Sequence, residues 1–169
     1  MGLCDSVDFT IPGANQALIN VPNDTVTISK MAYGYSVELS PLQILMFYNG
    51  IANDGKMISP LFVKEIRKDG KTIEEFESTV IKGSMCDDST LEGVRECLHD
   101  VVWDNELGTA SVNPWGTRKA QSNLVTIAGK TGTAQVGART TNIDIENTSW
   151  FVCFAPREKP EIAIVVCVP

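Results

Sequence analysis

The sequence predicts an α/β fold in which helices pack on an antiparallel sheet. Two segments carry apolar residues at helical spacing, and three strand-like segments follow in the C-terminal part of the chain, at 128–136, 149–155 and 161–168. With 169 residues and 43% hydrophobic content, the chain is long enough to form one core. We therefore expect a single domain, or part of one, with the sheet made by these last three strands.

The first helix is predicted from about residue 41 to 53. Ser40-Pro41-Leu42-Gln43 has the pattern of a capping box with proline at the first helical position, and Asn53-Asp54-Gly55 supplies residues that end helices. Gly50 inside the helix costs about 1 kcal/mol relative to alanine, which indicates close packing at that point. We expect the apolar face of this helix to belong to the core.

A β-hairpin is predicted next, because Leu61–Arg67 and Thr72–Phe76 flank the Asp-Gly turn of Lys68-Asp69-Gly70-Lys71. Ser89-Thr90-Leu91-Glu92 then offers a second capping box, which predicts a helix that runs to about residue 102. One face of that helix is formed by Leu91, Val94, Leu98 and Val101.

The remaining segments are predicted to be loops and strands. Residues 111–123 are polar, and we expect Trp115 among them to pack on its own scaffold and not to shape a groove. Val136–Thr148 is also polar and is predicted to be a loop. Residues 156–160, Pro-Arg-Glu-Lys-Pro, join the last two strands, and the final strand is apolar enough to be buried on both faces.

Composition excludes several classes of function. A net charge of −7 without a basic stripe argues against nucleic acid as a partner. No apolar run is long enough to span a bilayer, and residues 1–13 lack the features of a signal peptide. We therefore expect this segment to be soluble and to make no membrane contact.

The cysteines and the single histidine do not predict a metal or cofactor site. Five cysteines have no metal-ligand spacing and cannot all pair within one chain. Cys153 and Cys167 lie in apolar strands, where we expect buried thiols that act as small hydrophobic groups. His99 lies in the second helix, and we interpret it as a surface or helix-end residue.

Residues 128–136, Ala-Gly-Lys-Thr-Gly-Thr-Ala-Gln-Val, place a lysine, two hydroxyls and two glycines on one strand. Gly129 and Gly132 leave the backbone bare, so that a ligand backbone can approach it closely. Such a strand can add an extended peptide, attract its carboxylate with Lys130 and offer backbone N–H groups to a developing oxyanion. An ordinary turn with a solvated lysine is the alternative for the tripeptide Lys-Thr-Gly alone.

The wider sequence resembles class B high-molecular-weight penicillin-binding proteins, the division-type peptidoglycan D,D-transpeptidases. Residues 128–135 match the form of Lys-Thr-Gly found in that family. Residues 34–43 and 48–56, Gly-Tyr-Ser-Val-Glu-Leu-Ser-Pro-Leu-Gln and Tyr-Asn-Gly-Ile-Ala-Asn-Asp-Gly-Lys, resemble the helix that follows its second motif. Residues 1–12 resemble a further family segment with Cys4 in place of a glycine, and Asn105–Ala110 resembles a Gly-Thr-Gly-Thr-Ala turn with Glu106 and Leu107 as departures.

This resemblance implies the penicillin-binding protein and serine β-lactamase-like transpeptidase fold, with acyl transfer through a serine ester. The substrates it implies are peptidoglycan stem peptides, with β-lactams as their analogues. By the same resemblance, Lys130 and Thr133 are catalytic, through a proton relay and a backbone oxyanion contact respectively. Thr131 and Gly132 bind substrate, the former through the terminal carboxylate of the donor. No metal or cofactor is implied.

The nucleophile motif of this family is missing from the chain. None of the eleven serines is followed by lysine three residues later. Ser111-Val112-Asn113 spells Ser-x-Asn, but it lies in a different place from the family's motif, and we interpret it as coincidental. We therefore expect no nucleophile in this chain, which would be an inactive partial transpeptidase domain over 1–169 without the upstream Ser-x-x-Lys and Ser-x-Asn region and the terminal helix.

The resemblance also implies a parent protein on the periplasmic face of the inner membrane, held by an N-terminal anchor and working in a cell-division complex. Two alternatives stay open at this point. One is a β-lactamase or β-lactam-sensor domain, which shares Lys-Thr-Gly. The other is a non-catalytic module that binds an extended peptide at the strand.

Overall fold

The computed structural model describes residues 24–32, 34, 37, 39–113, 115–136 and 146–168. Across these ranges the elements are, in chain order, α1 (Thr25–Met31), α2 (Pro41–Ala52), β1 (Met57–Ile58), β2 (Glu65–Lys68), β3 (Lys71–Glu75), β4 (Val80–Lys82), α3 (Asp88–Trp103), β5 (Ala128–Val136), β6 (Glu146–Ala155) and β7 (Ile162–Val168). The segment predicted from residues 1–12 lies outside the described residues.

The main sheet has the strand order β5-β6-β7, and both pairs are antiparallel. Its register aligns Ala128 with Phe154 and Phe154 with Ala163. The predicted antiparallel sheet of the last three strands is therefore confirmed. The ends of the loop predicted for Val136–Thr148 belong to strands, because β5 includes residue 136 and β6 starts at residue 146, and residues 137–145 lie outside the described residues.

One face of this sheet packs against helices α2 and α3. Ala128 and Phe154 are fully buried there. The other buried members of the cluster come from the two helices and from the segments near β1 and β4: Met46, Ile51, Ala52, Met57, Met85, Leu91 and Leu98. This cluster is the core that fixes the sheet relative to the helices.

Helix α2 begins as its sequence predicts. The Ser40 hydroxyl accepts a hydrogen bond from the Gln43 backbone N–H at 3.2 Å, and the Gln43 side chain accepts one from the Ser40 N–H at 3.0 Å. A Cβ added at Gly50 would lie 2.5 Å from the Met85 Sδ, so the predicted close packing is confirmed. The other end is held by Arg95 of α3, whose guanidinium donates to the carbonyl oxygens of Ile51 and Ala52.

Helix α3 is capped two residues before the predicted cap, Ser89. Asp87 is the N-cap residue, and its carboxylate accepts from the Thr90 N–H at 2.8 Å and from the Ser89 hydroxyl at 2.7 Å. The predicted capping box at Ser89 is therefore wrong: the Ser89 hydroxyl donates to the Asp87 carboxylate, and the helix dipole favours that negative charge at the N-terminus. These hydrogen bonds lower the pKa of Asp87 to about 2.

The predicted hairpin is formed by β2 and β3. Asp69 and Gly70 have φ values of 52° and 76°, the left-handed conformation that a tight Asp-Gly turn requires. The first strand starts at Glu65 and is shorter than the predicted Leu61–Arg67. The hairpin forms its own two-stranded sheet and its residues are largely exposed.

Strand β7 is not buried on both faces, and this prediction was wrong. Ile162, Ile164, Val166 and Val168 are between 44% and 55% exposed. Only the alternate residues, such as Ala163, face the α2 side of the sheet. Cys167 is likewise exposed rather than buried, whereas Cys153 is half-buried and burial raises the pKa of its thiol.

Helix α1 was not predicted from the sequence. Asp24 caps it by accepting from the Thr27 N–H at 2.8 Å, but the helix has only seven residues and buries none of them. Such a short segment has no apolar periodicity to detect. Of the helices described, none is both long enough and apolar enough to cross a membrane.

Candidate active site

The start of β5 is fixed by α3 and by the turn after β6. The Trp103 indole Nε1 donates to the Ile127 carbonyl at 3.0 Å, and the backbone N–H of Arg157 donates to the Thr126 carbonyl at the same distance. Ala128 then enters the core. These contacts hold the first residues of β5 in place and so determine where its polar residues lie.

Gly129 is required by the packing of this buried end. A Cβ at this position would lie 2.7 Å from the Val152 carbonyl oxygen and 2.9 Å from both the Cys153 Cβ and the Phe151 ring. Two of these three atoms belong to the neighbouring strand's backbone or to its Cβ, and they cannot move without shifting β6. Gly129, the first of the two glycines in the 128–136 motif, is therefore a packing residue in this structure.

The polar part of the motif lies beyond Gly129. Lys130, Gly132 and Thr133 are exposed, and Thr131 is partly exposed. The Lys130 Nζ donates to the Thr131 carbonyl at 2.7 Å. Within the part of the chain that the structure describes, no carboxylate forms a salt bridge with this ammonium, so its positive charge is not neutralised by a carboxylate partner there.

Strand alternation divides these residues between the two faces of the sheet. Lys130 and Gly132 pair with Val152 and Trp150 and share their face, whereas Thr131 and Thr133 lie on the other face. Among the described strands, β5 has a neighbour on one side only. Its other edge presents backbone N–H and C=O groups, unpaired with any described strand, at every second residue. An edge of this kind can bind an extended peptide as an additional strand.

A second threonine joins the motif from a turn after α3. The Thr109 Oγ1 lies 2.7 Å from the Thr131 Oγ1, and the Lys119 Nζ donates to the Thr109 carbonyl at 3.0 Å. The resemblance of 105–110 to a family turn was the only sequence signal for Thr109. Lys119 had none, because its role depends on how the 111–120 segment folds back.

The serine of the Ser-x-Asn sequence has a structural role. Ser111 is 1% exposed, and its hydroxyl donates to the Gly108 carbonyl at 2.9 Å. The Asn113 side chain accepts from the N–H groups of Trp115 and Thr117 at 3.0 and 2.8 Å. Both side chains therefore stabilise local turns, which agrees with the interpretation that Ser-x-Asn is a coincidental match here.

Two other residues considered from the sequence lie apart from these contacts. Trp115 is 85% exposed, so the expectation that it packs on its own scaffold was wrong. It lies within the turn that the hydrogen bond from the Gly116 N–H to the Asn113 carbonyl closes at 2.9 Å. His99 is partly exposed on α3, and its ring stacks on Trp103 with centroids 5.8 Å apart. That contact is structural, in line with the interpretation from sequence.

An apolar cavity of about 680 Å³ lies beside the motif on the helix-covered face. Lys130 and Gly132 contribute to it from β5, and Tyr48 contributes from α2. Its other lining residues are Met31, Gly34, Val37, Leu39, Ile44, Thr131, Ala134, Trp150, Val152 and Val165. Burial raises the pKa of Tyr48. A cavity of this volume can take a drug-sized group or the side chains of a packed segment.

Comparison with known proteins extends the match well beyond the motif. The family described as the penicillin-binding protein transpeptidase domain matches residues 2–169. Penicillin-binding protein 2B of Streptococcus pneumoniae is 29% identical over 180 residues, which cover 99% of this chain and 25% of the relative. The chain thus spans about a quarter of the length of that protein.

Solved structures share the fold. Penicillin-binding protein 2X from Streptococcus thermophilus superposes with a TM-score of 0.78 at 24% identity, over 92% of this chain and 23% of that one. The penicillin G acyl-enzyme complex of penicillin-binding protein A from M. tuberculosis gives a TM-score of 0.71 at 23% identity, over 91% and 32%. At these identities the likeness shows the transpeptidase fold that the sequence predicted.

The Lys-Thr-Gly strand, its helix-packed sheet and a family match over nearly the whole sequence agree with one another. The chain belongs to the transpeptidase domain family of the penicillin-binding proteins and is homologous to penicillin-binding protein 2B.

Proposed function

We propose that this chain is the substrate-recognising part of a peptidoglycan D,D-transpeptidase that cross-links stem peptides through an acyl-serine intermediate. The observation that carries the proposal is the exposed Lys130–Thr133 segment on an edge strand whose other end is buried. Family membership over residues 2–169 supports the same activity. The reaction joins the penultimate D-Ala carbonyl of a donor peptide to an amine of a neighbouring peptide, with loss of the terminal D-Ala.

Each residue of the segment has a role that fits its chemistry. Lys130 brings an ammonium that no described carboxylate neutralises, and it would take part in proton transfer to and from the serine. Thr131 would donate a hydrogen bond to the donor's terminal carboxylate, or to the carboxylate of a β-lactam. Gly132 leaves room for the donor backbone, and the Thr133 N–H would stabilise the oxyanion, a contact of the type worth about 3 kcal/mol in a transition state.

The nucleophile is proposed to lie outside these 169 residues. None of the serines belongs to a Ser-x-x-Lys sequence, and Ser111 is buried and bonded to Gly108. The apolar cavity beside Lys130 suits the packing of a serine-bearing segment better than it suits a charged peptide terminus. We accordingly propose that 1–169 is a partial transpeptidase domain, inactive without that segment.

The biological setting follows from the same resemblance and is part of the proposal. The intact protein would act on the periplasmic face of the inner membrane, held by an N-terminal anchor, in a complex that builds the septal wall. The competing functions share the site: a β-lactamase would hydrolyse its acyl-enzyme rapidly, and a peptide-binding module would form no covalent adduct at all.

The test is intact-mass measurement after incubation with excess benzylpenicillin, on two proteins. The first is residues 1–169 alone, and the second is the longer protein that contains this chain together with the serine-bearing segment. We expect no adduct on the first and one long-lived adduct on the second. Rapid loss of that adduct would favour a β-lactamase, and absence of any adduct on the longer protein would overturn the proposal.

A further inference from the structure

We infer that Thr109 is a positioning residue that sets the direction of the Thr131 hydroxyl for carboxylate recognition. The observation is the 2.7 Å contact between the Thr109 Oγ1 and the Thr131 Oγ1, which joins a turn after α3 to the site strand. The inference rests on the proposed function and deepens it, because it adds to the site a residue from a separate element.

The turn that carries Thr109 is rigidly held. The Asp104 carboxylate accepts from the N–H groups of Glu106 and Leu107 at 2.8 and 3.1 Å, and these bonds lower the pKa of that carboxyl. Gly108 packs closely against the end of α3, since a Cβ there would lie 2.4 Å from the Asp104 carbonyl oxygen. A side chain of any size at this position would push the turn away from β5.

The residues after Thr109 anchor it in the same way. Ala110 and Ser111 are 3% and 1% exposed. The Ala110 N–H donates to the Val101 carbonyl at 2.9 Å, and the Ala120 N–H donates to the Ala110 carbonyl at 3.0 Å. Thr109 is therefore an exposed residue on a backbone fixed on both sides, which is what precise placement of its hydroxyl requires.

When a ligand is bound, the number of protons available determines which threonine hydroxyl donates in the Thr109–Thr131 hydrogen bond. A threonine hydroxyl has one proton to donate and can accept through its lone pairs. An ionised carboxylate only accepts, so Thr131 must give its proton to the ligand. The Thr109 hydroxyl then donates to the Thr131 oxygen, and this second bond polarises the first and strengthens it.

Two lysines support the same arrangement. The Lys119 Nζ donates to the Thr109 carbonyl at 3.0 Å, and the Lys130 Nζ donates to the Thr131 carbonyl at 2.7 Å. Each threonine of the pair thus has an ammonium bound to its backbone oxygen. The pair lies between two positive charges, which favours an anionic ligand over a neutral one.

The experiment measures the second-order rate of acylation in the longer, serine-containing protein with two probes, benzylpenicillin and its methyl ester, which has no carboxylate charge. We expect Thr109→Val to slow acylation by benzylpenicillin about tenfold and to leave the ester nearly unchanged. Thr109→Ser, which keeps the hydroxyl, should restore the rate. Thr109→Val combined with Thr131→Val should be no slower than Thr131→Val alone.

Several outcomes would overturn the inference. Equal slowing of both probes by Thr109→Val would assign the residue a purely structural role, and an unchanged benzylpenicillin rate would remove it from the site. Lys119→Met serves as a second variant and should reduce the benzylpenicillin rate in the same direction but less. Wild-type protein that forms no adduct with either probe would instead contradict the proposed function itself.

Discussion

The two ends of strand β5 have opposite surroundings. At Ala128 and Gly129 the strand is buried against α3 and β6, and a single added carbon at Gly129 would collide with backbone. From Lys130 to Thr133 the side chains are largely exposed, and a Cβ at Gly132 would lie 3.4 Å from the Trp150 Cβ, near ordinary van der Waals distance. The difference shows how one strand can be both rigid and reactive. The core fixes its buried end, and this holds the polar residues of the other end in position while they stay exposed.

The largest expected effect tests the buried end. Phe154 is fully buried opposite Ala128, and Phe154→Ala should lower the free energy of unfolding by about 3–5 kcal/mol through lost burial and a new cavity. Urea unfolding of residues 1–169 measures this. Thr133→Ala, at the exposed end, is the control and should change the same quantity by no more than about 0.5 kcal/mol. Similar losses for the two variants would contradict the contrast between the ends.

The two glycines sharpen the contrast with the smallest possible change. Gly129→Ala should destabilise the fold by about 1–3 kcal/mol, because its Cβ would meet the Val152 carbonyl oxygen. Gly132→Ala should leave stability within about 0.5 kcal/mol of wild type, yet slow penicillin acylation of the longer protein because the methyl group occupies the donor's place. A smaller loss of stability in Gly129→Ala than in Gly132→Ala would contradict the tight packing at Gly129.

Ser111 tests whether a buried serine has a structural role next to the site. Ser111→Ala should cost about 1 kcal/mol of stability, since one buried hydrogen bond to Gly108 is lost while the Ser111 N–H still donates to that carbonyl. The penicillin adduct of the longer protein should persist in this variant. Its disappearance would contradict a purely structural role for Ser111.

The smallest effect concerns the helix behind the buried end. The pKa of Asp87 is lowered from 3.8 to about 2 by hydrogen bonds from Ser89 and Thr90. Because the folded-state pKa is the lower one, this cap's contribution to stability is fully present above pH 3.8 and is lost as pH falls towards 2. Asp87→Asn should therefore flatten the pH dependence of unfolding in that window. An unchanged slope would show that the cap does not titrate with folding.

Much of the fold could be predicted because local signals and tertiary packing agree. The capping box at Ser40 and the Asp-Gly turn at 69–70 carry their own geometry, and the antiparallel sheet follows from three adjacent strand-like segments. The predictions that failed concern how far a segment is buried, which depends on tertiary packing. Strand β7 is as apolar as a doubly buried strand, yet helices cover only one of its faces within the described residues.

The site could be predicted in part for the same reason. Lys130–Thr133 are contiguous, so their spacing is visible in the sequence. Thr109 reaches Thr131 only because α3 and the turn after it bring positions 22 residues apart together. Lys119 depends on a further reversal of the chain, and no local pattern encodes that contact.

The most direct test of the central claim is the rate of benzylpenicillin acylation in the longer protein with Lys130→Ala. Lys71→Ala, on the exposed β2-β3 hairpin, is the matched control for loss of one lysine. If the exposed end of β5 is the acylation site, Lys130→Ala should reduce the rate by at least about a hundredfold, as loss of a proton-transfer group does, while Lys71→Ala acylates normally. Normal acylation of the Lys130→Ala protein would contradict the assignment of the site.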